Sequence, residues 1–161
     1  MQRVEQLCAS LKTARRMTLG LLASLPPERW TWQGFPGQNH AAWIALHLAV
    51  ADDWALVGMG RGEKRRLTAW DERVSGGPDP DAARWPDRDE ALVVLAEAHE
   101  RYLAALHELT DADLIRPVEG ALAEFAPEFG CLVDSHIWHE GFHGGQLSVV
   151  RKQLGLPPVW G

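Results

Sequence analysis

Apolar residues recur at three- and four-residue steps in four segments of the chain, and no segment alternates as a half-buried β-strand would. The four segments cover residues 3–25, 40–57, 87–109 and 127–154. In the first of them, Val4, Leu7, Leu11 and Leu21 fall on one stripe. Each such stripe would bury one face of a helix against the others. The pattern therefore predicts four amphipathic α-helices.

Residues that begin or end helices support these boundaries. Asn39 stands before the second segment, where we predict it to cap the helix N-terminus. Gly58 and Gly60 follow the same segment and are typical of a helix C-terminus. Pro86 precedes the third segment, and Gly155 follows the fourth.

The lengths of the connections indicate how the helices run. Residues 26–38 and 110–126 form modest connections, whereas residues 58–85 form a longer one rich in glycine, proline and charge. A short connection joins antiparallel neighbours. An extended stretch of about 28 residues can run the roughly 30 Å length of a helix and start the next one in the same direction. We expect an all-α, four-helix bundle in up-down-down-up order, with the long crossover between the second and third helices, and a single domain over residues 1–161.

Composition argues against a membrane-spanning or secreted protein. The chain has 161 residues, 46% of them apolar, and no run approaches the roughly 18 apolar residues of a membrane span. Its first residues lack the basic start and apolar run of a signal peptide, so we expect a cytoplasmic protein without a membrane partner. Cys8 and Cys131 form no CxxC pair, and we expect both to be reduced.

Charge argues against nucleic acid as a partner. The formal net charge is −6, and the basic residues are scattered apart from Arg61, Lys64, Arg65 and Arg66. Nucleic-acid binding usually needs a basic face, because phosphates supply much of the affinity. Glu63, Asp71 and Glu72 interrupt or follow this short cluster. We interpret the cluster as a solvated loop.

The strongest chemical signal is a pair of histidines four residues apart. His139 and His143 lie on one face of the fourth predicted helix, with Cβ atoms roughly 5–6 Å apart. Two imidazoles so placed can bind one metal ion. With Glu140 the string also matches HExxH, in which the glutamate of zinc proteases is the general base. Glu140 is a candidate catalytic residue here, although a position one step round the helix is equally compatible with exposure.

A zinc protease is nevertheless excluded by a count of ligands. Proteases of that type take a further ligand from downstream, and no His, Asp, Glu or Cys follows His143. The third ligand must therefore come from earlier in the chain. His47 and His99 both lie on apolar stripes and would point inward, whereas His107 lies beside its stripe and should be exposed. A lone inward histidine is more often a hydrogen-bonded core residue, so both candidates stay open on pattern alone.

The two other histidines fit less well as the third ligand. His136 is seven residues from His143 and about 10 Å away along the helix axis, so it cannot complete a site made with both His139 and His143. It could replace one of them as a ligand, or it could form a hydrogen bond to a ligand histidine. His40 stands at the start of the second helix, beside a predicted loop.

At these positions the chain resembles the DinB/YfiT-like superfamily, whose members are four-helix bundles with a metal site. The matching residues are Trp43-Ile44-Ala45-Leu46-His47-Leu48-Ala49, His139-Glu140-Gly141-Phe142-His143-Gly144-Gly145-Gln146-Leu147 and the tail Leu154-Gly155-Leu156-Pro157-Pro158. The resemblance covers nearly the whole chain. It implies that His47 is the third ligand beside His139 and His143, and it implies the same up-down-down-up bundle.

The chain departs from the family pattern at its glycines. The family often has arginine where this chain has Gly144, and Gly141 is uncommon within the histidine pair. Together with Gly145, these residues cost the helix about 1 kcal/mol each relative to alanine. Either another helix or a substrate approaches closely there, which we favour, or the helix is irregular.

A three-histidine site implies divalent-metal chemistry. Zinc, nickel and iron all accept imidazole ligands, and open coordination positions would receive water or substrate. The resemblance implies an enzyme acting on a small molecule, either a transferase or isomerase that uses a low-molecular-weight thiol or a hydrolase. The alternatives are a non-catalytic metal-binding protein of stress response or interaction, and a bundle whose histidines bind no metal.

The surroundings of the site are predicted less sharply. Each ligand histidine should give its other ring N–H to a partner, and the candidates are Glu140, Asp52, Asp53, Asp134 and His136. Trp43, Trp54 and Trp138 could line an apolar substrate pocket or belong to the core. The resemblance and the eight tryptophans favour a homodimer.

Overall fold

The computed structural model describes residues 2–59 and 64–160, and within them it is all-helical, without a β-strand. Five α-helices follow one another along the chain. They are α1 (Arg3–Ala23), α2 (Ala41–Gly58), α3 (Thr68–Ser75), α4 (Arg88–His107) and α5 (Phe129–Gln153). The four long helices correspond to the four predicted segments. The short helix α3 lies in the long connection and was not predicted.

The predicted cap of α2 is wrong by one residue. His40 is the N-cap, and its ring Nδ1 accepts a hydrogen bond from the backbone N–H of Trp43 at 3.1 Å. The other ring nitrogen, Nε2, lies 2.9 Å from the carbonyl oxygen of Asp79, to which it donates. Asn39 cannot cap the helix because its side-chain amide is turned towards Gln146 on α5. Gly60, predicted to help end this helix, lies outside the described residues.

The hydrophobic core consists of two clusters, one towards each end of the long helices. The first cluster includes Leu22, Ile44, Leu95 and Val150. The second includes Leu11, Leu56, Leu106 and Leu132. In the first cluster, the C-terminal halves of α1 and α5 thus pack with the N-terminal halves of α2 and α4. In the second cluster, the N-terminal halves of α1 and α5 pack with the C-terminal halves of α2 and α4. Across the bundle, α1 packs mainly on α5 and α2 mainly on α4.

A buried carboxylate attaches the long connection to the bundle. Asp53 on α2 accepts hydrogen bonds from the backbone N–H groups of Arg66 and Leu67 and from the guanidinium of Arg101 on α4. Arg65 pairs with Asp71 through both ends of its guanidinium and lies 4.0 Å from the ring centre of Trp54. Its side chain is only 12% exposed, so the prediction of a solvated basic loop is wrong at this residue. Arg61 lies outside the described residues.

Among the described helices, Ala41–Gly58 is long and apolar enough to cross a membrane, and 67% of it is buried inside the molecule. The core helix of a soluble protein has the same composition, so this property is weak evidence for a span.

Candidate metal centre

Three histidine side chains from two helices converge between α2 and α5. His47 projects from the middle of α2, and His139 and His143 project from successive turns of α5. Nε2 of His139 lies 2.9 Å from Nε2 of His47 and 2.9 Å from Nε2 of His143. Among the described residues this is the one group of three or more His, Cys, Asp or Glu side chains whose ligand atoms all lie within 4.8 Å of one another. Of the two histidines that the sequence left open as the third member, His47 belongs to the group and His99 does not.

The spacing of the three nitrogens fits a small divalent ion. Tetrahedral ligands at a Zn–N distance of about 2.0–2.1 Å are about 3.3 Å apart. The observed 2.9 Å separations therefore need to open by only a few tenths of an ångström. A neutral imidazole carries one N–H and one lone pair. Three such nitrogens aimed at one point can offer three lone pairs to a cation.

A hydrogen-bond chain orients the ring of His143. Its Nδ1 lies 2.9 Å from Oε1 of Gln146, and Nδ2 of Asn39 donates to the same oxygen at 3.1 Å. An amide oxygen only accepts, so the proton of His143 resides on Nδ1. The lone pair of Nε2 is thereby directed at the other two histidines. Gln146 was not among the predicted partners, although it stands three residues after His143 on the same helix face.

Burial keeps all three imidazoles neutral. Burial, with a smaller contribution from the neighbouring histidines, lowers the pKa of His47 to about 4 and that of His139 to about 3. Burial also lowers the pKa of His143, against the opposing effect of its hydrogen bond to Gln146. Metal ligands must be deprotonated to bind. The site is therefore in its ligand form at neutral pH.

Aromatic side chains lie beside the cluster. The ring of Trp43 stacks on that of His47, with centres 4.4 Å apart and planes 10° from parallel. His143 is buried, whereas His47 and His139 are half-buried. Trp138 is 69% exposed and stacks on Phe142 of the next turn, which is 49% exposed. These exposed rings do not belong to the core, so the alternative of plain core packing is wrong for Trp138.

The remaining histidines occupy other environments. Nε2 of His136 donates to Oδ1 of Asp52 at 2.6 Å, so His136 lies beside the cluster rather than in it. His99 lies buried with Nδ1 3.4 Å from the other oxygen of Asp52. His107 is exposed, as predicted.

Glu140 faces away from the three ring nitrogens and into a buried ionic network. Its side chain is fully buried, which excludes the exposed position that the sequence also allowed. Oε1 accepts from Nε of Arg15 at 2.6 Å, and Oε2 accepts from the hydroxyl of Thr18 at 2.6 Å. Arg15 also pairs with Asp52 at 3.1 Å. This positive neighbour holds the pKa of Asp52 well below its usual range, although burial alone would raise it. The catalytic role of Glu140 stays a prediction.

The three glycines of α5 border open space. An added Cβ at Gly141 or Gly145 would meet nothing within 4 Å among the described residues, and one at Gly144 would meet only Leu21 at 3.8 Å. Helix α5 is continuous through all three. They form one wall of a groove of about 700 Å³ between α1 and α5, on the side away from the histidine cluster. Neither an irregular helix nor a close approach within the described chain therefore accounts for them.

Comparison with known proteins agrees with this architecture. A crystal structure of a DinB-like protein from Bacillus cereus superposes with a TM-score of 0.74 at 21% identity, over 100% of this chain and 99% of that one. A conserved protein from Enterococcus faecalis superposes with a TM-score of 0.75 at 16% identity, over 96% and 99% of the two chains. At these identities both likenesses concern the fold alone. No curated protein matches the chain.

A family match extends the likeness to the sequence itself. The sequence profile of the DinB superfamily matches residues 10–147, which contain all three histidines of the cluster. The match covers well over half of the chain. The chain therefore belongs to the DinB superfamily.

Proposed function

We propose that His47, His139 and His143 hold one divalent metal ion and that the protein uses it in an enzymatic reaction on a small molecule. The observation that carries this proposal is the convergence of three Nε2 atoms from two helices. Zinc, nickel and iron suit the donor set. A bound ion of this kind supplies Lewis acidity, which lowers the pKa of a water or thiol that reaches it.

The half-buried rings of His47 and His139 support a catalytic rather than a purely structural site. Structural zinc sites are closed by four protein ligands, whereas catalytic sites keep a position open. Three candidate ligands are present here among the described residues, and two of them, His47 and His139, are partly accessible to solvent. This arrangement suits a thiol-dependent S-transferase or a hydrolase. A non-catalytic metal-binding protein is the alternative that an activity assay must separate.

The role proposed for Glu140 follows from its contacts. Because Arg15 and Thr18 occupy both of its oxygens, Glu140 is suited to holding α5 against α1. A fixed α5 in turn fixes the neighbouring His139. We therefore favour a positioning role over the role of general base, and a direct catalytic role requires that Glu140 exchange these partners.

The same proposal includes the arrangement that builds the site. An up-down-down-up order, with the long crossover between α2 and α4, is supported by the way the two core clusters divide the helices. We propose that residues 1–161 act as one domain, in the cytoplasm and as a homodimer, without a membrane or nucleic-acid partner. The negative net charge of −6 agrees with the last point.

The test is metal content of the protein purified without a histidine tag. We expect one ion per chain in the wild type and none in His139→Ala, with helical circular dichroism nearly unchanged. His107→Ala is the matched control, since this histidine is exposed, is paired with Lys12 at 3.2 Å and does not belong to the cluster, so the variant should retain the ion. Full metal retention in His139→Ala would refute the assignment.

Catalysis needs its own assay. The metal-loaded protein is offered a panel of small electrophiles and hydrolysable esters, with and without low-molecular-weight thiols. Turnover that depends on the metal and is lost in His139→Ala supports an enzyme. Absence of turnover across the panel, with one ion bound, favours the non-catalytic alternative.

A further inference from the structure

A small cavity adjoins the histidine cluster through Gln146. Its volume is about 250 Å³, and its lining includes Phe35, Asn39, Gln146 and Val149. Gln146 is the same residue whose Oε1 accepts from Nδ1 of His143. The cavity is therefore one hydrogen bond away from a proposed metal ligand. Its walls combine two apolar side chains with the amides of Gln38, Asn39 and Gln146, a composition typical of a small-molecule site. The amide of Gln38 is already occupied, since its Oε1 accepts from the backbone N–H of Gly34 and its Nε2 donates to Gln153.

The hydrogen bonds of Asn39 and Gln146, which both line this cavity, leave one polar atom of each amide unpaired within the described chain. Oε1 of Gln146 is shared by His143 and Nδ2 of Asn39. Among the described residues, Nε2 of Gln146 and Oδ1 of Asn39 have no protein hydrogen-bond partner. One is a donor and the other an acceptor. Their complement is a group that offers one C=O and one N–H, which is a secondary amide.

A metal ion at His143 would fix the pattern that these hydrogen bonds already show. When an ion occupies Nε2 of His143, the proton of that ring must be on Nδ1. Nδ1–H requires an acceptor, so Oε1 of Gln146 turns towards it, and the shared oxygen then requires the donor end of Asn39. Without the ion the opposite tautomer is accessible, and both amides can reverse. Metal loading thus sets which atoms the two amides present.

We propose that this cavity is a ligand subsite of the metal centre, that it accepts a secondary amide carried on an apolar group, and that metal loading sets its hydrogen-bonding pattern. The inference rests on the proposed function, because it needs an ion at Nε2 of His143. Phe35 and Val149, which are 55% and 47% exposed, would cover the apolar group of the ligand.

A matched pair of probes tests the proposal. N-methylbenzamide and methyl benzoate have nearly the same shape, but only the amide has an N–H. Each is titrated into zinc-loaded protein, and the side-chain amide resonances of Asn39 and Gln146 are followed by nuclear magnetic resonance. The zinc content of the same sample is measured first. One additional hydrogen bond should favour the amide roughly three- to tenfold.

Two further samples separate the subsite from nonspecific binding. Asn39→Ala removes the acceptor for the N–H and one of the two partners of Oε1 of Gln146. With zinc supplied in excess, the three histidines should still hold one ion per chain, and the preference for the amide should be lost. In zinc-free wild type the preference should also weaken. Equal affinities for the two probes in wild type that holds one zinc per chain would overturn the subsite and leave the metal site intact. Failure to take up zinc at all would instead overturn the proposed function.

Discussion

Arg15 provides the sharpest test of how the bundle is held together. Its guanidinium lies between two fully buried carboxylates, 2.6 Å from Glu140 and 3.1 Å from Asp52, and is itself only 2% exposed. The substitution Arg15→Met keeps an apolar stem of similar length and removes the charge. Two buried carboxylates are then left without their cation. Breaking a buried pair in this way costs roughly 3–5 kcal/mol of unfolding free energy.

The pH dependence of this cost has a definite sign. In the wild type the folded-state pKa of Asp52 lies below its unfolded value of 3.8, so this carboxylate contributes stability above that pH and the contribution is lost on further acidification. Without Arg15 the pKa of Asp52 should rise, because burial is then opposed only by the contacts with His136 and His99. A raised pKa destabilises the folded state at neutral pH, and the penalty disappears as the carboxyl is protonated. The deficit of the variant should therefore shrink between about pH 7 and about pH 4.5.

Urea unfolding followed by circular dichroism at these two pH values measures the deficit. The control is Arg3→Met on the same helix. Arg3 forms an ion pair of 2.7 Å with Asp134, but the two side chains are 57% and 52% exposed. An exposed pair is worth at most about 1 kcal/mol. Equal stability of the two variants at pH 7, or a deficit of Arg15→Met that grows on acidification, would contradict the reasoning.

Three further results are expected. Gln146→Leu removes the acceptor that orients a ligand histidine and should weaken zinc binding roughly 10–100-fold in a chelator competition, whereas Gln153→Leu on the same helix should not. The pKa values of His47 and His139 are lowered to about 4 and about 3, so zinc affinity should change little between about pH 7.5 and 5.5. A site of three ordinary imidazoles would lose roughly a thousandfold in zinc affinity over the same range. A loss of that size would show that the rings are not buried in solution. Gly141→Ala should raise the free energy of unfolding by about 0.5–1 kcal/mol, since the new Cβ meets open space, and a lower melting temperature or loss of a dimer would instead reveal a partner against this helix.

Sequence periodicity predicted the four long helices because each is long enough for its apolar stripe to repeat several times. The bounds differ by a few residues at most, as for α4, predicted over residues 87–109 and observed over Arg88–His107. Helix α3 was not predicted because its eight residues bury only Val74 and lie in a stretch rich in charge and glycine. What holds it is long-range, since the indole N–H of Trp43 donates to the carbonyl of Val74 at 2.9 Å.

The convergence of the histidines was predictable for a different reason. Two of them are fixed relative to each other by helix geometry, and the resemblance to the DinB superfamily supplied His47. Their supporting residues were not predictable in the same way. Asn39 and Gln146 are 107 residues apart, and no local rule joins them. Arg15 stands four residues after Leu11 on the buried stripe, and a charged residue at such a position was the available sign of the ionic network.

The contacts of the last helix, α5, with α1 and α2 have a consequence for how the protein folds during synthesis. His47 and His139 are 92 positions apart, and Arg15 and Glu140, which pair next to His139, are 125 positions apart. Contacts of such range form late in folding because long loops must close first. A nascent chain that still lacks α5 has only one of the three histidines of the cluster, His47. The proposed metal ion could therefore bind only after α5 has been synthesised, and a product truncated before α5 would lack the site.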